Sequence, residues 1–394
     1  MSNFNLGRIA ATVSLGVLLS TTGLAAQELT LAMSMNRTGP LAANGTTNDI
    51  AAKMAIDEIN AKGGVNGKKL KLVVFDTAGD PKQAVTATRR FVEDDKALAI
   101  IGPFSSGEVR VTFPVGDQAG IVQISNGSSA PGLTKGFTYA FRNTSDELIQ
   151  FRRLMTVMKA KNILPQKVAI TYATDEFVSK SLGADVYPAA LKEAGVQIVA
   201  SVGFPLQAFD VAPQVTELKR ANPDAVAIGG TVEVVLKVAR EMRRQGMTAR
   251  ILTSGVAADP HLAEKLGKDG EGTLYPTYYY HKLNQRVADF QQKFAQNTKA
   301  ANMAKTIPQH VDVSAYDIVY ILAEALKRAN VTGDASKLAA ERTAIRDQLK
   351  TMKGWNFEGV IGRSWFGEDG DASLPTYVVE VRNNDFQLLD TVQP

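Results

Sequence analysis

The stretch ALAIIGPFSSGEV, Ala97 to Val109, runs from short apolar residues through a Gly-Pro corner with two adjacent hydroxyls into a helical pattern. A continuous apolar run of this length, ending in glycine and feeding a helix, reads as a strand of a parallel sheet covered on both faces. Ser105 or Ser106 suits the N-cap of a helix over 106–116, where a hydroxyl oxygen accepts a free backbone N–H. The same hydroxyls, at the carboxyl end of a strand, also fit a nucleophile or a ligand grip.

Outward from this corner the pattern repeats. LTLAMSM (29–35), KLKLVVFD (69–76), GIVQIS (120–125), KVAITYA (167–173), VQIVASV (196–202), DAVAIGG (224–230) and ARILTSG (249–255) are short, apolar and rich in β-branched residues. Between them lie stripes at helical spacing: Ala52, Ala55, Ile56 and Ile59; Leu148, Phe151, Met155 and Met158; Val235, Val238 and Met242. Asp80-Pro81 marks a helix start, and Gly63-Gly64, Gly195 and Gly246 mark helix stops. Alternation of this kind predicts an α/β protein with parallel sheets. A closed eight-stranded barrel competes with two open sheets. The passage FTYAFRN into a helix near Ser145, and the late hairpin-like pattern GVIGRSWF, EDGDASLP, TYVVEV, favour two α/β lobes joined by more than one crossing.

A chain of 394 residues with 45% hydrophobic content suggests two domains. Residues 1–26 carry Arg8, no acid, an apolar stretch from Ile9 to Leu19 and the small-residue sequence GLAAQE, the order of a secretory signal cleaved after Ala25 or Ala26. The mature chain is therefore expected in the periplasm. Without Arg8, 43 basic residues face 40 acidic ones, and the pairs Arg89-Arg90, Arg152-Arg153 and Arg243-Arg244 read as solvated helix faces, so no nucleic-acid partner is expected. The absence of cysteine excludes thiolate metal sites and cysteine nucleophiles.

Three chemistries compete for the corner. A hydrolase elbow needs glycines two residues either side of its serine, but Ser105 has Pro103 and Gly107, and Ser106 has Phe104 and Glu108. His261, His281 and His310 show no triad spacing, although a triad assembles in space rather than in sequence. GGVNGKK, with Gly63, Gly67 and Lys68, is one residue short of a phosphate loop and follows a helix, and no metal-ligand spacing occurs, so no cofactor or metal is expected. The ligand grip gains support from SNGSSAPG, which places Ser125, Gly127, Ser128 and Ser129 beyond the next strand. In an open parallel sheet adjacent carboxyl ends share one rim, and two hydroxyl-rich corners there suit a carboxylate.

TGPLAANG, AIDEINAKGGVNGKKLKL, DTAGDPKQAV, IIGPFSSG and ISNGSSAPGLT, in this order behind a signal, resemble the solute-binding proteins of ABC importers of the branched-chain amino-acid (Leu/Ile/Val-binding) type. The resemblance spans nearly the whole mature chain. It implies two Rossmann-like lobes with a three-crossing hinge, the type I periplasmic binding protein fold: 29–146 plus 277–353, and 147–276 plus 354–394. It further implies a non-enzymatic, monomeric receptor that passes its ligand to a membrane permease. A serine at the position of Ser106, with a hydroxyl and backbone at Ser129 and Gly127, would hold the ligand's carboxylate, and Phe177 and Thr231 would be added by the second lobe; Phe104, Ser105, Ser128 and Gly255, beside these, complete the candidate site.

Family members that bind amino acids place an acid beyond the strand ILTSG, where this chain reads Gly255-Val256-Ala257, with Asp259 the nearest acid. A pocket without a counter-charge discriminates against an ammonium. The expected ligand is accordingly a small amine-free carboxylate, with an aromatic acid favoured and Phe104, Phe177 and some of Tyr275, Tyr278, Tyr279 and Tyr280 as apolar wall. Branched-chain or other hydrophobic amino acids are the alternative ligands; a ligand sensor and an exported serine hydrolase are the alternative functions.

Overall fold

The computed structural model describes Met1, residues 28–259 and residues 261–394. The expected signal segment and its cleavage point lie outside these residues. Fourteen strands form among the described residues. The first five are β1 (Leu29–Met35), β2 (Leu70–Asp76), β3 (Ala99–Ile101), β4 (Val122–Ser125) and β5 (Ala140–Arg142), which pair in the order β2-β1-β3-β4-β5, all parallel.

A second sheet begins with β6 (Lys167–Ala173), β7 (Gln197–Phe204), β8 (Ala225–Gly229), β9 (Arg250–Leu252) and β10 (Leu274–Thr277). After a two-residue pair, β11 (Trp365–Phe366) and β12 (Ala372–Ser373), it is completed by β13 (Thr376–Arg382) and β14 (Asp385–Val392) in the order β14-β13-β10-β9-β8-β6-β7. Its first five strands pair in parallel, whereas β13 lies antiparallel to both β10 and β14. Two open sheets, not a closed barrel, are the result.

The hairpin read from GVIGRSWF and TYVVEV forms differently. Trp365 and Phe366 pair with Ser373 and Ala372, while Thr376–Arg382 pairs with β10 and with the strand that follows it. The turn between β13 and β14 is Asn383-Asn384, both at positive φ. That is the backbone of a tight hairpin turn, to which asparagine is suited.

The helical stripes bury the expected faces: Ala52, Ala55, Ile56 and Ile59 under the first sheet, Phe151, Met155 and Met158 under the second, and Val235, Val238 and Met242 on its other side. Helices Gln285–Ala300, His310–Arg328 and Leu338–Lys350 return to the first core, where Phe290, Phe294, Ile318, Leu322 and Ile345 are buried. The segment 354–374, expected with the second lobe, also buries Val360, Ile361, Phe366 and Leu374 in the first core. The chain thus passes between the two bodies after β5, after β10 and before β13, three crossings that make a two-lobed α/β protein of the type I periplasmic binding fold.

Candidate functional site

β3 and β4 are neighbours, so their carboxyl ends bring the two serine corners together on one rim. Contact between the corners is close. A Cβ on Gly127 would lie 2.1 Å from the Phe104 ring, and Ser125 Oγ donates to the Pro103 carbonyl at 2.6 Å while accepting from Ser128 N–H at 3.1 Å. Only glycine at 127 lets the second corner settle on Phe104.

The adjacent serines do different things. Ser105 is the N-cap of helix Ser106–Gln118: its Oγ accepts from Glu108 N–H at 3.2 Å and donates to Glu108 Oε2 at 2.5 Å. Ser106 Oγ accepts from the N–H groups of Ser129 and Ala130 at 3.2 and 3.3 Å, which occupies its lone pairs and leaves its O–H free to donate. The backbone N–H groups of 127–130 are thereby spent inside the corner pair. What remains for an anion is the Ser106 hydroxyl and the N–H groups of Ser106 and Gly107 at the start of the helix, which have no intrahelical partner.

A cavity opens between the lobes against this corner. It is lined on one side by Leu41, Asn44, Phe104, Ser105, Ser106, Gly127 and Ser129, on the other by Glu176, Val178, Thr231, Gly255 and Val256, and at the crossings by Glu147, Tyr278 and His310. About 40 Å³ is open to the centres of water molecules, room for a few waters at roughly 10–15 Å³ each. The two walls therefore stand close enough for one small molecule to touch both.

Seven of the nine residues expected at the site line this cavity: Phe104, Ser105, Ser106, Gly127, Ser129, Thr231 and Gly255. Thr231 precedes helix Val232–Arg244 without capping it, so its hydroxyl is uncommitted. Two do not line it. Ser128 is buried, its hydroxyl without a hydrogen-bond partner and its carbonyl accepting from the Thr144 hydroxyl. Phe177 packs toward Gly107, under the Arg110 guanidinium at 5.4 Å, because Glu176 caps helix Phe177–Ser181 and it is Glu176 and Val178 that reach the cavity instead. Of the tyrosines only Tyr278 lines it; Tyr275 and Tyr279 border a smaller neighbouring cavity with Asp259, Gln309 and His281.

Besides Glu176, the sequence reading passed over Glu147, which a buried cluster positions here. Arg142 is buried and pairs with Asp371 at 2.6 Å and Asp146 at 3.0 Å, and its Nη1 donates to the Ala130 carbonyl at 2.5 Å. Asp146 caps helix Glu147–Ala160, accepting from Leu148 N–H at 2.8 Å. Capping leaves Glu147, the next residue, facing the cavity; its N–H donates to the Ser129 carbonyl at 3.0 Å and its Oε2 has no hydrogen-bond partner. Burial pushes the Glu147 carboxyl up to about 8, against the Ser129 and Ser254 hydroxyls, which pull it down. Asp259, the acid expected nearest the ligand, is committed elsewhere: it accepts from Gln309 Nε2 at 2.6 Å across the cleft and from His261 N–H at 2.7 Å.

His310 is the one histidine of the three that lines this cavity. Burial holds it down to about 4, so its imidazole is neutral, and it meets the Tyr278 ring edge-on at 5.0 Å. No hydrogen bond links it to Ser106 among the described residues, so the nucleophile reading gains no base. A consecutive acid pair, Asp146-Glu147, was the available signal for Glu147; Tyr278 is one of the four tyrosines expected as apolar wall, and His310 comes from a distant segment that carried no signal for it.

Residues 28–385 match the periplasmic binding protein family. An "Amino acid binding protein" of Pseudomonas aeruginosa is 29% identical over 381 residues, 95% of each chain. The Leu/Ile/Val-binding protein of Escherichia coli K12 is 28% identical over 250 residues, 63% of this chain and 67% of that one. Among solved structures, a leucine-binding protein from Thermotoga maritima superposes with a TM-score of 0.78 at 25% identity, covering 93% of this chain and 99% of that one. A solute-binding protein from Rhodopseudomonas palustris, in complex with 3,4-dihydroxybenzoic acid, shares the fold at 21% identity, with a TM-score of 0.76 and coverage of 93% and 98%.

Proposed function

The chain belongs to the periplasmic binding protein family, and from that premise we propose that it captures an α-amino acid between its two lobes and presents it to the membrane permease of an ABC importer. The lobes are 29–146 with 277–375, and 147–276 with 376–394, the segment 354–374 going with the core in which it is buried. Membership of this family supports a periplasmic location and a role in binding solutes.

One observation supports the ligand class: a buried carboxyl, Glu147, lines the same cavity as the Ser106 corner and has an oxygen without a partner. The amine-free reading rested on the lack of such a counter-charge. The ligand's carboxylate sits on the Ser106 hydroxyl and the helix N-terminus, its ammonium on Glu147. Thr231 and Gly255 then close over it as the second lobe rotates. The names of the Pseudomonas and Escherichia relatives point to the same class.

A second reading has its own support. Because burial holds the Glu147 proton until about pH 8, a neutral Glu147 has an O–H to donate to an amine-free acid, the aromatic acids included. Proton linkage separates the two. An ammonium needs the carboxylate, so binding releases a proton and affinity rises by up to about tenfold per pH unit below 8, then levels. An amine-free acid needs the acid form, so its affinity is flat to about pH 8 and falls above it. Calorimetry between pH 6 and 9 with L-leucine, L-lysine, benzoate and 4-methyl-2-oxopentanoate reads the sign. Amino-acid binding that weakens as pH rises overturns the proposal.

A further inference from the structure

We propose that the amino acid carries a second cation on its side chain, and that Glu176 selects for it. The inference rests on the α-amino-acid reading above. The cavity is lined by two acids, Glu147 and Glu176, and by no lysine or arginine, while its histidine, His310, is neutral. A zwitterion brings one positive charge, which Glu147 takes. Glu176 remains, on the wall across the cleft from the serine corner.

Glu176 is already a capping residue. Its Oε1 accepts from Val178 N–H at 3.1 Å, and its Oε2 accepts from Ser179 N–H at 2.8 Å and Ser179 O–H at 2.6 Å. A carboxylate has about four acceptor positions, so one is left, and no cation among the described residues stands against it. Capping fixes the carboxylate in place and costs the ligand nothing to organise. Leu41, Phe104, Val178 and Val256 supply apolar wall along the cavity, which suits the methylenes of a side chain ending in an amine. An aliphatic ligand would cover the half-buried Glu176 and strip it of water without returning a partner.

The test compares matched pairs by calorimetry at pH 7.5: L-lysine against L-norleucine, and L-ornithine against L-norvaline, which differ only in the terminal amine. In the wild type the amine-bearing member binds at least about tenfold tighter. Glu176→Gln abolishes that ratio and Glu176→Asp keeps part of it. Loss of the helix cap alone would weaken both members of a pair in parallel; a ratio unchanged in Glu176→Gln overturns the inference. L-norleucine binding as tightly as L-lysine to the wild type also overturns it, while leaving the α-amino-acid reading in place. Hexanoate binding more tightly than either sinks both, and so does no detectable heat from any of these compounds.

Discussion

Ser105 and Ser106 are neighbours with separable tasks. The Ser105 side chain is spent on Glu108, so Ser105→Ala removes a cap and costs about 1 kcal/mol of stability with little change in affinity for the ligand. Ser106 keeps a free O–H beside the cavity. Removing a hydrogen bond to a charged group costs about 1.5–3 kcal/mol, so Ser106→Ala lowers affinity for any carboxylate ligand by about 10- to 100-fold. Thermal melts and calorimetry on the two variants should give opposite rankings. At this scale the corner itself was legible, because strand, glycine and hydroxyl are local signals. Which of two hydroxyls, or which of two consecutive acids, turns to the ligand was not. Asp146 takes the cap and the Arg142 pair, and only then does Glu147 face the cavity. Phe177 went astray for a similar reason, displaced by the capping of its own short helix by Glu176.

Among the elements, the Arg142 cluster ties three segments together: the end of the serine loop at Ala130, the helix cap at Asp146, and Asp371 beside β12. Removing one partner of a buried pair leaves charge unpaired, at about 3–5 kcal/mol. Arg142→Leu should therefore lower the unfolding free energy by that much, read as a fall in the denaturant midpoint, and also impair binding, because it frees both the Ser129 loop and the Glu147 helix.

Asp317 makes a different elemental joint. It is buried on helix His310–Arg328, accepts from the N–H groups of Val360 and Ile361 at 2.9 and 3.0 Å, and leaves no room for a Cβ on Gly359. Burial raises its carboxyl to about 6. A folded-state value above the unfolded one means the native protein binds the proton more tightly. Its contribution to stability is therefore present below the unfolded value and is lost as pH rises through about 6. Asp317→Asn should flatten that part of the stability profile, measured by urea unfolding between pH 4 and 7. The β13–β14 hairpin was an element the sequence signalled and the reading missed: Asn383-Asn384 between alternating residues marks the turn, but TYVVEV was assigned the wrong partner.

Across the whole molecule, the contacts that join the lobes outside the ligand cavity include two that reach across the cleft. Gln309 donates to Asp259 at 2.6 Å, and Arg110 lies over Phe177 at 5.4 Å. Neither pair lines the cavity, so each biases closure without meeting the ligand. Asp259→Ala removes a charge-assisted bond, and its affinity should fall about tenfold, with faster dissociation in stopped-flow and a larger radius of gyration in small-angle scattering. An affinity unchanged in that variant would mean the bond does not hold the closed form.

The sequence by itself determined the alternation of strand and helix, the parallel pairing that follows from apolar strands covered on both faces, and the placing of two serine corners on one rim. Those follow from local propensity and period, which neighbours in sequence carry. Tertiary structure decided the contents of the cavity opposite that rim. Glu147, Tyr278 and His310 arrive from two crossings and the start of a returning helix, and burial is the largest of the effects that set whether the Glu147 and His310 groups are charged. Burial is a property of everything packed around a residue, so no stretch of chain contains it.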